Sequence, residues 1–166
     1  MPYRDTKTLS VRGQVHQKYS RRAAKLVNVF NCLIVSASPE RSEMLKRAAA
    51  DGGWKTSLCA DGPAALKHVN RWLVHLVVVD LDGQPAATFR PLLEELASCR
   101  GLLSIVCGNE GDIEEEIWVR QHGAWMYLPG VSGADNSISL LCGEAKEIAE
   151  RLWKPGERSP ARPAAK

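Results

Sequence analysis

No run of apolar residues in this 166-residue chain approaches the roughly 18 that a membrane span needs; runs such as Leu33–Val35, Leu76–Val79 and Leu102–Val106 are short. The first thirty residues are basic and lack the apolar stretch and small-residue cleavage site of a secretory signal. A cytoplasmic protein with no membrane partner is the expectation. The five cysteines, Cys32, Cys59, Cys99, Cys107 and Cys142, are odd in number and widely separated. They make neither a disulfide framework nor a zinc-ligand spacing, which leaves buried thiols in a reducing compartment. His16, His68, His75 and His122 share no metal-binding spacing. The glycines Gly101, Gly108 and Gly111 give no dinucleotide fingerprint, and no serine stands in a nucleophile elbow.

Hydrophobic residues make up 45% of the chain, enough for one core in a domain of ordinary size. The net charge of +3 conceals an asymmetry. Residues 1–25 carry seven Lys/Arg against Asp5 alone, a net of +6; residues 154–166 have a net of +3, which leaves −6 for the middle. We read residues 1–28 as a basic N-terminal extension, partly ordered at most, and 29–153 as the domain. Residues 154–166, with three prolines and no periodicity, read as a flexible tail. The basic ends, Arg21-Arg22-Ala23-Ala24-Lys25 among them, have the charge to meet nucleic acid or an acidic partner. Their placement at the ends of an acidic body favours solvated segments instead, and nucleic acid is not the expected partner. Too few residues lie beyond Trp153 for a helix-turn-helix output domain.

Between the ends, strand and helix alternate five times. Asn31–Ser36 reads as a first strand. Ser38-Pro39-Glu40 supplies a cap, a proline at the first helical position and an acidic first turn. Met44, Leu45 and Ala48 share one face of the helix that follows, which Gly52-Gly53 stops. Trp54–Ala60 is a second strand. Ala64–Arg71 is a helix with Ala65, Leu66, Val69 and Trp72 as its apolar stripe. Leu76–Val79, continuous and β-branched, suits a central parallel strand covered on both faces. A loop follows, then a helix to Ser98 in which Pro91 marks either the true start or a kink. Leu102–Cys107 and Trp125–Leu128 are the fourth and fifth strands. Ile113–Trp118 opens the fourth helix, and Gly143/Glu144 to Trp153 forms the last, with Ala145, Ile148, Ala149 and Leu152 inward. Such units force right-handed crossovers. The expected fold is a flavodoxin-like α/β three-layer sandwich with a five-stranded parallel sheet of order 2-1-3-4-5. Its site then lies at the carboxyl ends of the strands.

The strand ends resemble those of response-regulator receiver domains. Ile34–Leu45 is similar to the family's opening strand and first helix, His75–Asp80 to the strand ending in the phosphorylated aspartate, and Gly123–Gly130 to the segment around the fifth strand. The resemblance covers about residues 29–153. It implies a site that this sequence keeps only in part. The family's magnesium-holding acidic pair falls on Ser36 and Ala37, and its phosphoacceptor on Asp80. The switch Ser/Thr falls on Cys107 or Gly108, and the lysine that contacts the phosphoryl group on Gly130, with Val131 in place of proline. Transfer of a phosphoryl group to a carboxylate spreads negative charge that a divalent cation and a fixed ammonium must absorb. Asp80 and Asp82 are the carboxylates left to hold Mg²⁺, which takes near-octahedral oxygen ligation.

The leading expectation is a degenerate receiver-like (pseudo-receiver) signalling domain that acts by protein–protein interaction, with no catalysis and no cofactor. The alternative is a phosphoaccepting receiver using Asp80 with Mg²⁺ on unconventional ligands; a flavodoxin-like small-ligand domain is a third. Asp80 is equally readable as a loop cap accepting backbone N–H groups, Asp82-Gly83 as a turn signal, and Cys107 as a structural thiol. Receiver domains use their fourth helix, fifth strand and fifth helix to bind partners or dimerise. The candidates for such an interface, or a homodimer contact, are Ile113, Ile117, Trp118, Trp125 and Tyr127. Trp118 adjoins Ile117, so the two cannot both face the core.

Overall fold

The computed structural model describes residues 29–153; the expectations for the basic extension 1–28 and the tail 154–166 lie outside the described residues. Five strands, β1 (Asn31–Val35), β2 (Lys55–Cys59), β3 (Leu76–Asp80), β4 (Leu103–Gly108) and β5 (Met126–Pro129), form one parallel sheet in the order β2-β1-β3-β4-β5. Between and after them run α1 (Pro39–Asp51), α2 (Gly62–Arg71), α3 (Arg90–Ser98), α4 (Ile113–Gln121) and α5 (Ser137–Leu152). This is the expected flavodoxin-like sandwich.

All five residues of β3 are buried. Its alternation divides the core into two layers, because successive side chains of a strand point to opposite faces. Leu76 and Val78 join Ile34, Ile105, Leu45 and Ala145 on the side of α1 and α5. Val77 and Val79 join Leu33, Val106, Leu92 and Val119 on the side of α2, α3 and α4. Strand β2, at the sheet edge, is the least covered.

The structure settles one local alternative and revises other expectations. Pro91 marks a true helix start: it sits in the first turn of α3, behind a 3₁₀ turn at Ala86–Phe89. Helix α5 begins at Ser137, six residues before Gly143, and Leu152 in its last turn is 54% exposed and not inward. Trp72 is likewise outside the apolar stripe. It follows α2 with extended backbone and is 66% exposed, because the helix ends one residue before it could turn inward. At the end of α1 only Gly53 adopts the left-handed conformation (φ +84°). Gly52 lets α5 approach closely, since a Cβ there would stand 3.0 Å from the Cβ of Cys142.

Candidate functional site

Asp80 ends β3 at the carboxyl edge of the sheet and is fully buried. Its neighbour across the register in β4 is Cys107. Ser36, directly after β1, is buried beside it, and its hydroxyl donates to Asp80 Oδ2 at 2.8 Å. The decisive contact comes from α1. Ser38 caps this helix, its hydroxyl accepting from the Arg41 N–H at 3.4 Å. Long side chains in a first helical turn point back toward the helix N-terminus. Arg41 therefore lies over the strand ends and grips Asp80 side-on: Nε donates to Oδ2 at 2.8 Å and Nη2 to Oδ1 at 2.7 Å. Nη1 donates to the Val131 carbonyl at 3.1 Å, tying the segment after β5 to the same group. Asp82 Oδ1 stands 3.6 Å from Arg41 Nε.

A planar guanidinium presents parallel N–H donors that match both oxygens of a carboxylate, so this geometry is the strong form of an ion pair. Asp80 is fully buried, whereas the Arg41 side chain is 25% exposed. Hydrogen bonding to Asp80 raises the Arg41 pKa, against a smaller lowering by burial. The sequence shows no cation beside Gly130 and, on that ground, no means of neutralising a second negative charge near Asp80. The structure places one cation there, Arg41 from α1, engaged with Asp80 itself.

The other predicted positions are placed as follows. Ala37 is exposed in the β1–α1 loop. Asp82 is exposed at φ 33° in the turn after β3, with Gly83 following at φ +75°. Cys107 is buried, and its thiol pKa is pushed up by burial and further by Asp80, with Arg41 opposing. A thiol so disfavoured as thiolate is a poor nucleophile. Gly130 has φ +64° and lies against Glu110, so an acidic group stands where the resemblance implies a lysine. A Mg²⁺ ion does not fit these residues. Both Asp80 oxygens are engaged by Arg41, Ser36 and Ala37 bring no carboxylate, and Asp82 faces the same guanidinium. Among the described residues no group of three His, Cys, Asp or Glu is arranged to hold a metal ion.

A second polar cluster lies beside the first. Glu115, in the first turn of α4, is buried. Its Oε1 accepts from the Tyr127 hydroxyl and from the Asn109 backbone N–H, each at 2.8 Å, and its Oε2 accepts from Asn109 Nδ2 at 2.9 Å. Burial, then the bond to Glu115, raises the Tyr127 pKa. Gly108 leaves room for this cluster, since a Cβ there would collide with the Tyr127 hydroxyl and the Glu115 carboxylate.

Tyr127 is thus inside the protein and not an outward anchor on β5. Trp118 is half-buried, stacked on His122 with ring centroids 3.9 Å apart, and packs on the core beneath α4. Trp125 packs on the other core layer. Of the five interface candidates only Ile113 (70% exposed) and Ile117 (51%) present their side chains to the surface, one turn apart on α4. Arg41 and Glu115 are the residues that sequence reasoning missed. For Arg41 part of the signal was present: an arginine in the first turn of a helix whose cap, Ser38, comes three residues after the end of the first strand.

No family model matches the chain, and no curated protein matches it. Solved structures do. The receiver domain of NtrX from Brucella abortus is similar at 21% identity and a TM-score of 0.58, over 70% of this chain and 98% of that one. A CheY-like response regulator receiver domain protein from Methanospirillum hungatei is 20% identical, with a TM-score of 0.58 over 72% of this chain and 98% of its own. The chemotaxis response regulator CheY4 of Vibrio cholerae is 16% identical, with a TM-score of 0.58 and coverages of 72% and 98%. Strand order, layering and these likenesses agree: the chain has the fold of response-regulator receiver domains.

Proposed function

We propose that this chain is an atypical receiver-like signalling domain held in a single state by the Arg41–Asp80 pair. It is read by a protein partner, or a second copy, through its surface and without Mg²⁺-dependent aspartyl phosphorylation. The observation that carries this reading is the side-on fork of Arg41 on both oxygens of Asp80. Joining a phosphoryl group to a carboxylate oxygen removes that oxygen's negative charge and at least one of these bonds. It also brings further negative charge that needs cations fixed around it. Among the described residues the one adjacent cation, Arg41, is already committed, and Gly130 lies against Glu110. The surface suited to recognition is α4, where Ile113 and Ile117 stand exposed among Glu114, Glu116 and Asp112. Exposed aliphatic side chains at i and i+4 form a small apolar anchor.

Incubation with acetyl phosphate and Mg²⁺, followed by intact mass measurement, tests the first half. The unmodified mass is expected. A phosphoryl-sized gain that Asp80→Asn abolishes would replace this reading with the phosphoaccepting one. Light scattering of the wild type beside Ile113→Ser/Ile117→Ser tests self-association. A wild-type dimer that the double variant dissociates assigns the surface to a second copy, and a monomer assigns it to a different protein.

A further inference from the structure

At the amino ends of the strands, His75 joins several segments into one surface. Its Nδ1 accepts from the Asn31 N–H at 3.0 Å, and its carbonyl accepts from the Leu103 N–H at 3.0 Å. Its ring lies 4.9 Å from that of Phe30 and 5.0 Å from that of Trp153. Trp153 Nε1 donates to the Gly101 carbonyl at 3.2 Å, and Asn31 Nδ2 to the Leu73 carbonyl at 2.9 Å. Five large apolar side chains of this end face outward: Trp72 (66% exposed), Leu152 (54%), Leu73 (42%), Val29 (40%) and Trp153 (38%). They account for more than half of the exposed large hydrophobics of the described residues, gathered at one pole.

Charge divides along the same axis. The carboxyl end of the sheet carries exposed Asp61, Asp82, Glu110, Asp112 and Asp135. The amino end carries exposed Lys55, Arg71 and Arg100, against Asp51 at the end of α1; Glu147 and Glu150 nearby are paired with Arg151 and Lys146. The net +6 of residues 1–25 joins the domain at Val29, and the net +3 of residues 154–166 leaves it after Trp153, both at this pole. We infer that this end is a face for peripheral attachment to an anionic lipid bilayer. A surface of acidic headgroups attracts clustered Lys/Arg, and tryptophan favours the headgroup level, where its ring is sheltered and its N–H wet. Leucine and valine side chains gain there by burial, which a nucleic acid backbone does not offer. The lack of a membrane-spanning run bears on crossing a bilayer and not on lying against one. Attached this way, Asp80 and the exposed face of α4 stay turned toward solvent.

Co-sedimentation of the full chain with vesicles of phosphatidylcholine and phosphatidylglycerol, beside vesicles of phosphatidylcholine alone, tests the inference. Binding to the mixed vesicles is expected, weakened by high salt and accompanied by a blue shift of tryptophan fluorescence. Trp72→Ala/Leu73→Ser alters exposed side chains, so the thermal melt should hold while vesicle affinity falls on the order of ten-fold. Absence of binding to the mixed vesicles at low salt overturns the inference. So does undiminished binding by the variant, which would leave attachment to the basic segments alone. Tighter binding to duplex DNA than to the vesicles, or a dimer that the same variant dissociates, likewise assigns the face to another occupant.

Discussion

At the residue scale, Arg41 and Asp80 depend on each other. A carboxylate shut away from water is tolerable because a guanidinium and the Ser36 hydroxyl satisfy it. Removing one partner strands the other, which in buried pairs costs about 3–5 kcal/mol. Arg41→Met and Asp80→Asn should each lower the unfolding free energy obtained from urea titration by that order, and the double variant by less than their sum. Additive effects would mean that the pair is not coupled. Arg41→Lys should restore little, because an ammonium cannot span both oxygens of the carboxylate in parallel. The Tyr127 hydroxyl makes a smaller contribution. Tyr127→Phe withdraws one donor from buried Glu115 and should cost about 1–3 kcal/mol by denaturant unfolding.

At the element scale, the β4–α4 connection is pinned to its helix by one side chain. Asn109 gives Glu115 both its backbone N–H and its side-chain amide, while Asp112 caps the helix through the Glu115 N–H at 2.9 Å. Residues 108–112 should therefore exchange amide hydrogens more slowly than the exposed Asp82–Gln84 turn, and Glu115→Ala should erase that difference. Gly108→Ala sets a methyl group against Tyr127 and Glu115. Displacing them should cost about 1–3 kcal/mol, the usual range for overpacking. An alanine variant as stable as the wild type would show that the cluster yields easily.

Across the whole molecule, His75, just before β3, is bonded to the first residues of β1 and β4, Asn31 and Leu103. Burial holds its pKa below the ordinary value, and Nδ1 must stay unprotonated to accept from Asn31. The unfolded imidazole, near pH 6.5, takes up its proton first. The stability due to His75 is therefore complete above that pH and is lost as pH falls through it toward the lower folded value. Urea midpoints should drop on acidification below about pH 6.5, and the His75→Gln variant should drop less steeply over the same window. A parallel drop would place the acid sensitivity elsewhere. The thiols give a second global readout. Cys32, Cys107 and Cys142 are buried, and burial pushes the Cys142 pKa up to about 12. In the native protein only half-buried Cys59 and Cys99 should react promptly with a disulfide reagent, and the other three should follow unfolding.

The order of elements, the sheet topology and the place of Asp80 at the carboxyl ends of the strands were legible in the sequence. They rest on local signals: a β-branched run at Leu76–Val79, a cap at Ser38, and helices alternating with short strands. That the residues after β1, Ser36 and Ala37, carry no carboxylate was legible for the same reason, because residue identity at a strand end follows from counting along the chain. What neutralises Asp80 was not. Arg41 is 39 residues away in sequence; its first-turn position brings it near the strand ends, but that it meets Asp80 follows only from the pairing of β1 with β3. Whether Tyr127 points inward was equally undecided, since Glu115 reaches it from a separate helix. The gathering of Trp72, Leu73, Leu152 and Trp153 at one pole also required the fold, because these residues meet only where parallel strands begin together and α5 returns. Periodicity within one element is set by local backbone geometry. Partnership between elements is set by distances that exist only once the sheet has closed its layers.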